Sequence, residues 1–312
     1  MSNPTRRRHV LDLDDVDAGE ISAILETARS MQEVLGRLIK QVPALRGRTV
    51  VNMFFEDSTR TRISFEVAAR ALSAAVINFS ARGSSVEKGE SLIDTVRTIE
   101  ALGADVIVIR HAEAGVPHLV AQAFGGSVIN AGDGRHAHPS QALLDLFTIQ
   151  ARFGTIAGLH VVIVGDVTHS RVVRSNLWGL TAMGARVTLV APATLLGPAA
   201  FWRAIWPTVT VTTDLDRAIA GADVVMALRL QQERQDAGLL PSLGEYRRRY
   251  AITAERLARA APHAIVMHPG PMNAGVEITP EVATTAQSVI EAQVANGVAV
   301  RMALLYHLAG EA

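Results

Sequence analysis

The chain has 312 residues, enough for one large or two ordinary domains with a sizeable core, and hydrophobic residues make up 49% of it, which excludes extended disorder. Thirty basic residues balance thirty acidic ones, so bulk attraction to nucleic acid or a membrane has no support, and any anion site must be a local concentration of charge. The absence of cysteine removes disulfides, thiolate metal sites and cysteine nucleophiles together, and no apolar stretch reaches membrane-spanning length.

Arg6-Arg7-Arg8 reads as a solvated leader, because acidic, helix-like sequence comes after it rather than a signal-peptide core; a soluble cytoplasmic protein is expected. Ile21, Ile24, Leu25, Ala28, Met31 and Leu35 then recur at helical spacing and predict an amphipathic first helix. The apolar run from Thr49 to Phe54 reads as a buried strand. The segment after it is chemically dense: Phe55-Glu56-Asp57-Ser58-Thr59-Arg60-Thr61-Arg62 brings two guanidinium groups and three hydroxyls to one strand end. If Ser58 caps a helix starting there, unpaired backbone N–H groups and the positive end of the helix dipole complete an anion cradle suited to phosphate. An ordinary capped turn is the bland alternative. Arg60 and Arg62 argue against it, since two cations in a first helical turn oppose the dipole unless an anion receives them.

Further strands are predicted at Ala75 to Phe79, Asp105 to Ile109 and Ser127 to Asn130, with helices between them, in βαβ rhythm. Lysine occurs only at Lys40 and Lys88, the other 28 basic residues being arginine. A lysine kept at position 88, in the small-residue loop Gly83-Ser84-Ser85-Val86-Glu87-Lys88-Gly89, suits a compact charge on a flexible stem that must reach a ligand. Arg110 and His111 follow the strand that ends at Ile109. After Asn130, the loop Asp133-Gly134-Arg135-His136-Ala137-His138-Pro139-Ser140-Gln141 leads into a long helix, starting near His138 and running to Ala151, that connects two halves.

The second half repeats the rhythm, with strands predicted at Leu159 to Val164, Arg186 to Val190, Thr208 to Thr212, Asp223 to Ala227 and Ala264 to Met267, which implies a second parallel sheet. Strand ends again carry the polar groups: His169-Ser170-Arg171 after Val164, and His268-Pro269-Gly270-Pro271 after Met267. Residues Arg229 to Tyr250 are polar and Arg-rich and are expected to form a long mobile loop, either a lid or a solvated excursion. Pro280 to Leu308 reads as mostly helical. No Walker loop, Gly-x-Ser-x-Gly elbow or dinucleotide fingerprint is present, and His136 with His138 lacks a convincing third metal ligand, so neither metal nor cofactor is expected.

Taken in order, Phe55 to Arg62, Ser84 to Glu90, Arg110-His111, His138-Pro139-Ser140-Gln141, Ser170-Arg171, Arg229-Leu230-Gln231 and His268-Pro269-Gly270-Pro271 resemble the transcarbamylase family over nearly the whole chain. The resemblance implies an α/β fold of two domains, each a mainly parallel sheet flanked by helices. Residues 1–140 would bind carbamoyl phosphate, with 288–312 packing back on them, and residues 141–287 would bind the acceptor. By the same resemblance Ser58, Thr59, Arg60 and Thr61 hold the phosphate, and Arg110 bridges phosphate and carbonyl oxygen. Thr61, Arg110 and His138 face the oxyanion formed on attack. Gln141 and the carbonyl of Pro271 or its neighbour Gly270 accept from the carbamoyl NH₂, while Arg171, Arg229 and Gln231 grip the acceptor. In that family the loop corresponding to Ser84 and Lys88 enters the adjacent subunit's site, so the resemblance implies a homotrimer as the active unit.

The ornithine-specific branch of that family usually carries a Cys after the late His and a Lys ahead of Ser-Thr-Arg, where this chain has Pro269 and Asp57. This favours L-aspartate as acceptor, with N-carbamoyl-L-aspartate and phosphate as products in pyrimidine synthesis. Two arginines also suit a dicarboxylate better than a cationic side chain. Ornithine or another amine as acceptor, and a catalytically silent assembly subunit, are the alternatives. Ala274 stands where many relatives carry Arg. The proton acceptor (His138 or the departing phosphate), allosteric effectors, and a regulatory chain or dihydroorotase in a larger assembly are left open by the sequence.

Overall fold

The computed structural model describes residues 8–80, 90–230, 239 and 242–310. The chain divides into two compact units, residues 1–147 with 295–312, and residues 148–294.

The first unit runs β1 (His9–Val10), α1 (Ala18–Leu35), β2 (Thr49–Phe54), α2 (Thr59–Ala71), β3 (Ala75–Ser80), α3 (Leu92–Ala101), β4 (Val106–His111), α4 (Val116–Ala123) and β5 (Ser127–Asp133), and α5 (Pro139–Phe153) begins in it. Its sheet is entirely parallel in the order β1-β5-β4-β2-β3. Val51, Met53, Ile107, Ile109 and Val128 from the central strands pack with Val96 and Ile99 of α3 and Val120 of α4. Strands buried on both faces lose the alternation of a half-exposed strand, which is why Thr49 to Phe54 reads as a continuous apolar run.

The second unit contains β6 (His160–Val164), α6 (Arg171–Ala182), β7 (Arg186–Val190), α7 (Ala193–Leu196), α8 (Ala199–Ile205), β8 (Thr210–Thr212), α9 (Leu215–Ala218), β9 (Val224–Ala227), α10 (Leu243–Tyr250), α11 (Ala254–Leu257), β10 (Ile265–Met267), α12 (Pro280–Ala283) and the start of α13 (Ile290–Ala309). Its sheet is also parallel, in the order β10-β9-β6-β7-β8. The last part of α13 packs in the first unit, where Asn296 accepts from Gln32 at 2.9 Å and His307 meets Thr27 at 2.9 Å.

The two sheets differ in where their first strand lies, β1 at an edge and β6 in the centre, but both contain one reversal of strand order. In the first, the chain steps from β2 outward to β3 and then returns to place β4 on the other side of β2. In the second, it steps from β6 through β7 to β8 and returns to place β9 beside β6. The strand order reverses at β2/β4 and at β6/β9, and open parallel sheets bind ligands at the carboxyl ends of strands where such a reversal opens a crevice.

The expected long loop from Arg229 to Tyr250 is corrected at its second half, where Leu243 to Tyr250 is a helix. Ser242 caps it by accepting from the Glu245 N–H at 3.1 Å, Arg247, Arg248 and Arg249 complement the dipole in its last turn, and Tyr246 and Tyr250 are buried with rings stacked 5.5 Å apart. The Ser-x-x-Glu pair is a stronger signal than the polar composition. Residues 231–238, 240 and 241 lie outside the described residues.

Candidate functional site

The switch point of the first sheet is built by the ends of β2 and β4. These are in register, Phe54 opposite Arg110, and the Phe55 N–H donates to the Arg110 carbonyl at 2.9 Å. Beyond β2 the chain turns into α2 with Ser58 at the N-cap, but the Ser58 hydroxyl makes no capping bond. The same is true of Ser170 ahead of α6, at the switch point of the second sheet. By contrast α1, α3, α9, α10 and α11 are each closed by an Asp, Ser or Thr side chain accepting from the first turn. Two helices that begin at Ser thus leave first-turn donors to another acceptor, and both carry Arg rather than Asp or Glu in that turn: Arg60 and Arg62 in α2, Arg171 and Arg174 in α6.

Within the first unit, Thr61 and Arg110 are buried while Thr59 and Arg60 are exposed. The Arg110 guanidinium is held on two sides, donating to Glu56 Oε1 at 2.5 Å and to the Ala131 carbonyl at 3.3 Å. Glu56 has no role that the sequence alone assigns; the structure makes it the anchor of Arg110. His138 and Gln141 are buried at the start of α5, and the Gln141 N–H donates to the His138 carbonyl at 3.0 Å.

The loop that delivers His138 is shaped by Asp133, another residue to which the sequence assigns no role. Its carboxylate is buried and accepts from the side chain of Asn130 at 2.8 Å, from the Gly115 N–H at 2.7 Å and from the Ala137 N–H at 3.0 Å, and meets His136 Nδ1 at 3.0 Å. Burial would raise the Asp133 carboxyl, but the bonds from His136, Asn130 and Gly115 outweigh it and hold it below the usual carboxylate value. The bond to Asp133 raises His136 above the ordinary imidazole value, against the effect of its own burial. His136 is thereby committed to loop structure, and no group of three or more His, Cys, Asp or Glu able to hold a metal exists among the described residues.

In the second unit the β6 and β9 ends meet in register, Val164 opposite Ala227, and the Leu228 N–H donates to the Val164 carbonyl at 2.7 Å. Gly165 follows β6 with φ 138°, and a Cβ there would lie 2.8 Å from Leu228 Cβ, so only glycine lets these two strand ends approach. Arg171 begins α6 and is buried, and Arg229 follows β9 half-buried. One buried carboxylate, Glu277, ties this corner together. It accepts from the Leu230 N–H at 2.9 Å, from the Asn273 N–H at 2.6 Å and from the Asn273 side chain at 2.6 Å. Burial raises its carboxyl and those three bonds pull it back. Glu277 thus fixes the backbone at Leu230, next to Arg229, to the turn after Gly270 and Pro271, whose shared peptide is cis. Ala274 is exposed in that turn. Sequence reasoning misses Glu277 because nothing local marks it.

The first sheet accordingly brings Ser58, Thr59, Arg60, Thr61 and Arg110 to one switch point, and the second brings Arg171 and Arg229 to the other. Ser84, Lys88 and Gln231 lie outside the described residues.

The fold and these corners define a two-unit α/β protein with an arginine-bearing helix N-terminus at the switch point of each sheet. Residues 8–151 match the carbamoyl-phosphate-binding domain of aspartate/ornithine carbamoyltransferases, and residues 157–308 match their aspartate/ornithine-binding domain. The chain belongs to the aspartate/ornithine carbamoyltransferase family. It is 74% identical over 306 residues to the aspartate carbamoyltransferase catalytic subunit of Roseiflexus sp. (strain RS-1), covering 98% of this chain and 96% of that one. Among solved structures it is similar to aspartate transcarbamoylase from Trypanosoma cruzi in complex with carbamoyl aspartate and phosphate (TM-score 0.88, 31% identity, 96% and 95% of the two chains). It is also similar to ornithine carbamoyltransferase from Pyrococcus furiosus (TM-score 0.86, 28% identity, 97% of each chain). The backbone is therefore common to both acceptor classes, and side chains must choose between them.

Proposed function

We propose that the chain is an aspartate carbamoyltransferase, transferring the carbamoyl group of carbamoyl phosphate to the amine of L-aspartate to give N-carbamoyl-L-aspartate and phosphate. The observation that carries this reading is the pair of uncapped, arginine-bearing helix N-termini, one at each switch point. Each is a site for an anion, and the reaction has one phosphorylated and one dicarboxylate substrate. Ser58, Thr59, Arg60 and Thr61 hold the phosphate. Arg110, fixed by Glu56, bridges it to the carbonyl oxygen, and Thr61 and His138 add donors where negative charge develops on that oxygen. Gln141 accepts from the carbamoyl NH₂ together with the backbone at Gly270 and Pro271. Arg171, Arg229 and Gln231 bind the two carboxylates of aspartate. The proton leaving the amine passes to His138 or to the departing phosphate.

We further place the enzyme in the cytoplasm, in pyrimidine synthesis, as a homotrimer in which Ser84 and Lys88 serve a neighbouring subunit. Positions 84 and 88 come shortly after β3 in the chain, and β3 is an edge strand. Beside that edge Ile77 is 52% exposed, and Ile63 and Val67, four residues apart on α2, are 49% and 42% exposed, an apolar face suited to a second copy of the chain.

Assays supplying carbamoyl phosphate with aspartate, ornithine or no amine test the reading directly. Phosphate release that depends on aspartate is expected; turnover with ornithine but not aspartate would overturn the acceptor, and no turnover with any amine would favour a silent subunit. Sharing of sites is tested by mixing chains carrying Lys88→Ala with chains carrying Arg60→Ala. Each alone is expected to be nearly inactive and the mixture to regain a fraction of activity, whereas properly mixed trimers without rescue would mean that each site is built by one chain.

A further inference from the structure

Gln141 and Asp145 are one helical turn apart on α5 and share a face. Gln141 Nε2 donates to Asp145 Oδ1 at 3.0 Å, and Asp145 is completely buried. A carboxylate in the interior needs compensation, and Arg301 of α13, itself only 4% exposed, is near enough for the two charges to attract. Burial lowers the Arg301 guanidinium to about 10, and the Asp145 charge opposes that fall. Arg301 also donates to Ser64 Oγ at 2.9 Å and lies over the Phe65 ring at 5.1 Å, both on α2, the helix whose first turn carries Thr59, Arg60 and Thr61. Gly297 makes room for it: a Cβ at that position would lie 2.4 Å from Arg301 Nη1. Glycine in the middle of a helix is otherwise a destabilising choice.

The chemistry of this chain of contacts decides which way the Gln141 amide faces. An ionised carboxylate only accepts hydrogen bonds, so it selects the NH₂ end of the amide irrespective of how that amide is drawn. We propose that Asp145 is a positioning residue for the transfer reaction: from the interior it captures the Gln141 NH₂ and so leaves Gln141 Oε1 to receive the NH₂ of the carbamoyl group. The reverse orientation would set two donors against each other. The inference rests on the assignment of Gln141 to the carbamoyl NH₂ under the proposed function, and it adds that recognition of an amide over a carboxylate or an ester at this position is set by a residue that touches no substrate.

The test compares two ligands on the assembled wild-type protein and its Asp145→Asn variant by calorimetry: phosphonoacetamide, which keeps the amide NH₂, and inorganic phosphate, which lacks it. Asparagine preserves the shape but can offer its own NH₂ to Gln141. Asp145→Asn is expected to weaken phosphonoacetamide by about tenfold, the cost of leaving a buried amide donor unsatisfied, with phosphate affinity unchanged. In a Gln141→Ala background the same substitution is expected to have no further effect. Equal weakening of both ligands, or additive losses in the double variant, would reduce Asp145 to a structural role and overturn the proposal. If the Asn variant does not fold, Asp145→Glu keeps the charge but displaces the carboxylate by a methylene, and the same ligand pair decides between the two roles. Wild-type protein that binds neither ligand would count against the proposed function itself, whereas wild-type binding with unaltered discrimination in the variants counts against this inference alone.

Discussion

Arg110→Ala is expected to lower kcat by at least about a hundredfold, the usual cost of removing a preorganised donor from a developing oxyanion. The guanidinium is buried, and Glu56 Oε1 and the Ala131 carbonyl fix two of its nitrogens, so it needs little reorganisation as charge moves onto the carbonyl oxygen. Arg110→Lys is expected to recover only a small part of the loss, because an ammonium cannot meet Glu56, Ala131 and a ligand at once in the planar arrangement of the fork. Glu56→Gln is the informative companion. It keeps an acceptor near Arg110 but removes the charge that holds it, and a smaller fall in kcat with an unchanged thermal midpoint is expected. Steady-state phosphate release measured beside circular dichroism separates chemistry from folding. If Arg110→Ala retained kcat within a few-fold, Arg110 would bind ground-state phosphate without serving the transition state.

Sequence and structure agree most closely where the signal is local. The buried strands announce themselves as apolar runs, and the run from Arg186 to Val190 matches β7 at both ends. Strand ends shift where a turn competes: Thr208 and Val209 have the composition of a strand, but the Val209 N–H closes a turn on the Trp206 carbonyl and β8 starts at Thr210. β1 is invisible in the sequence because two residues, His9 and Val10, carry no period. Arg60 and Arg62 are legible because the placement of two cations in a first helical turn is unfavourable without an anion, whereas Arg110 and Arg171 are legible as polar groups at strand ends and Arg229 only through the family resemblance. What gives that placement its force, the reversal of strand order at β2/β4 and β6/β9, is not legible, since strand order is a property of pairings distant in sequence. The supporting carboxylates are hidden for the same reason. Asp133, Asp145 and Glu277 hold His138's loop, Gln141 and Leu230 respectively, yet each looks like any other acidic residue until its burial is known. Only Gln141 and Asp145 carry a local clue, their spacing of one helical turn.

Arg171→Ala and Arg229→Ala are each expected to raise KM for aspartate by about ten- to a hundredfold, the range for loss of a charge-assisted hydrogen bond, with the affinity for inorganic phosphate in the first unit unchanged. Arg171 sits in the first turn of α6 behind an uncapped Ser170, and Arg229 follows the neighbouring strand β9, so the two bracket the switch point of the second sheet from both sides. Two separated guanidinium groups match the two carboxylates of aspartate, while the ammonium of ornithine would meet like charge there. The same charges bear on selectivity. Removing either arginine lowers the repulsion toward a cationic acceptor as well as the attraction toward a dicarboxylate, so the ratio of kcat/KM for aspartate over ornithine falls by more than either parameter alone. Arg229 is also tied through its neighbour, since the Leu230 N–H donates to the buried Glu277, and Glu277→Gln is expected to raise KM for aspartate while leaving Arg229 itself in place. Saturation kinetics with both amines decide the matter. An unchanged KM for aspartate in Arg171→Ala and Arg229→Ala, with kcat reduced instead, would move these arginines from acceptor binding to the chemical step and leave the choice of aspartate without a physical basis in this chain.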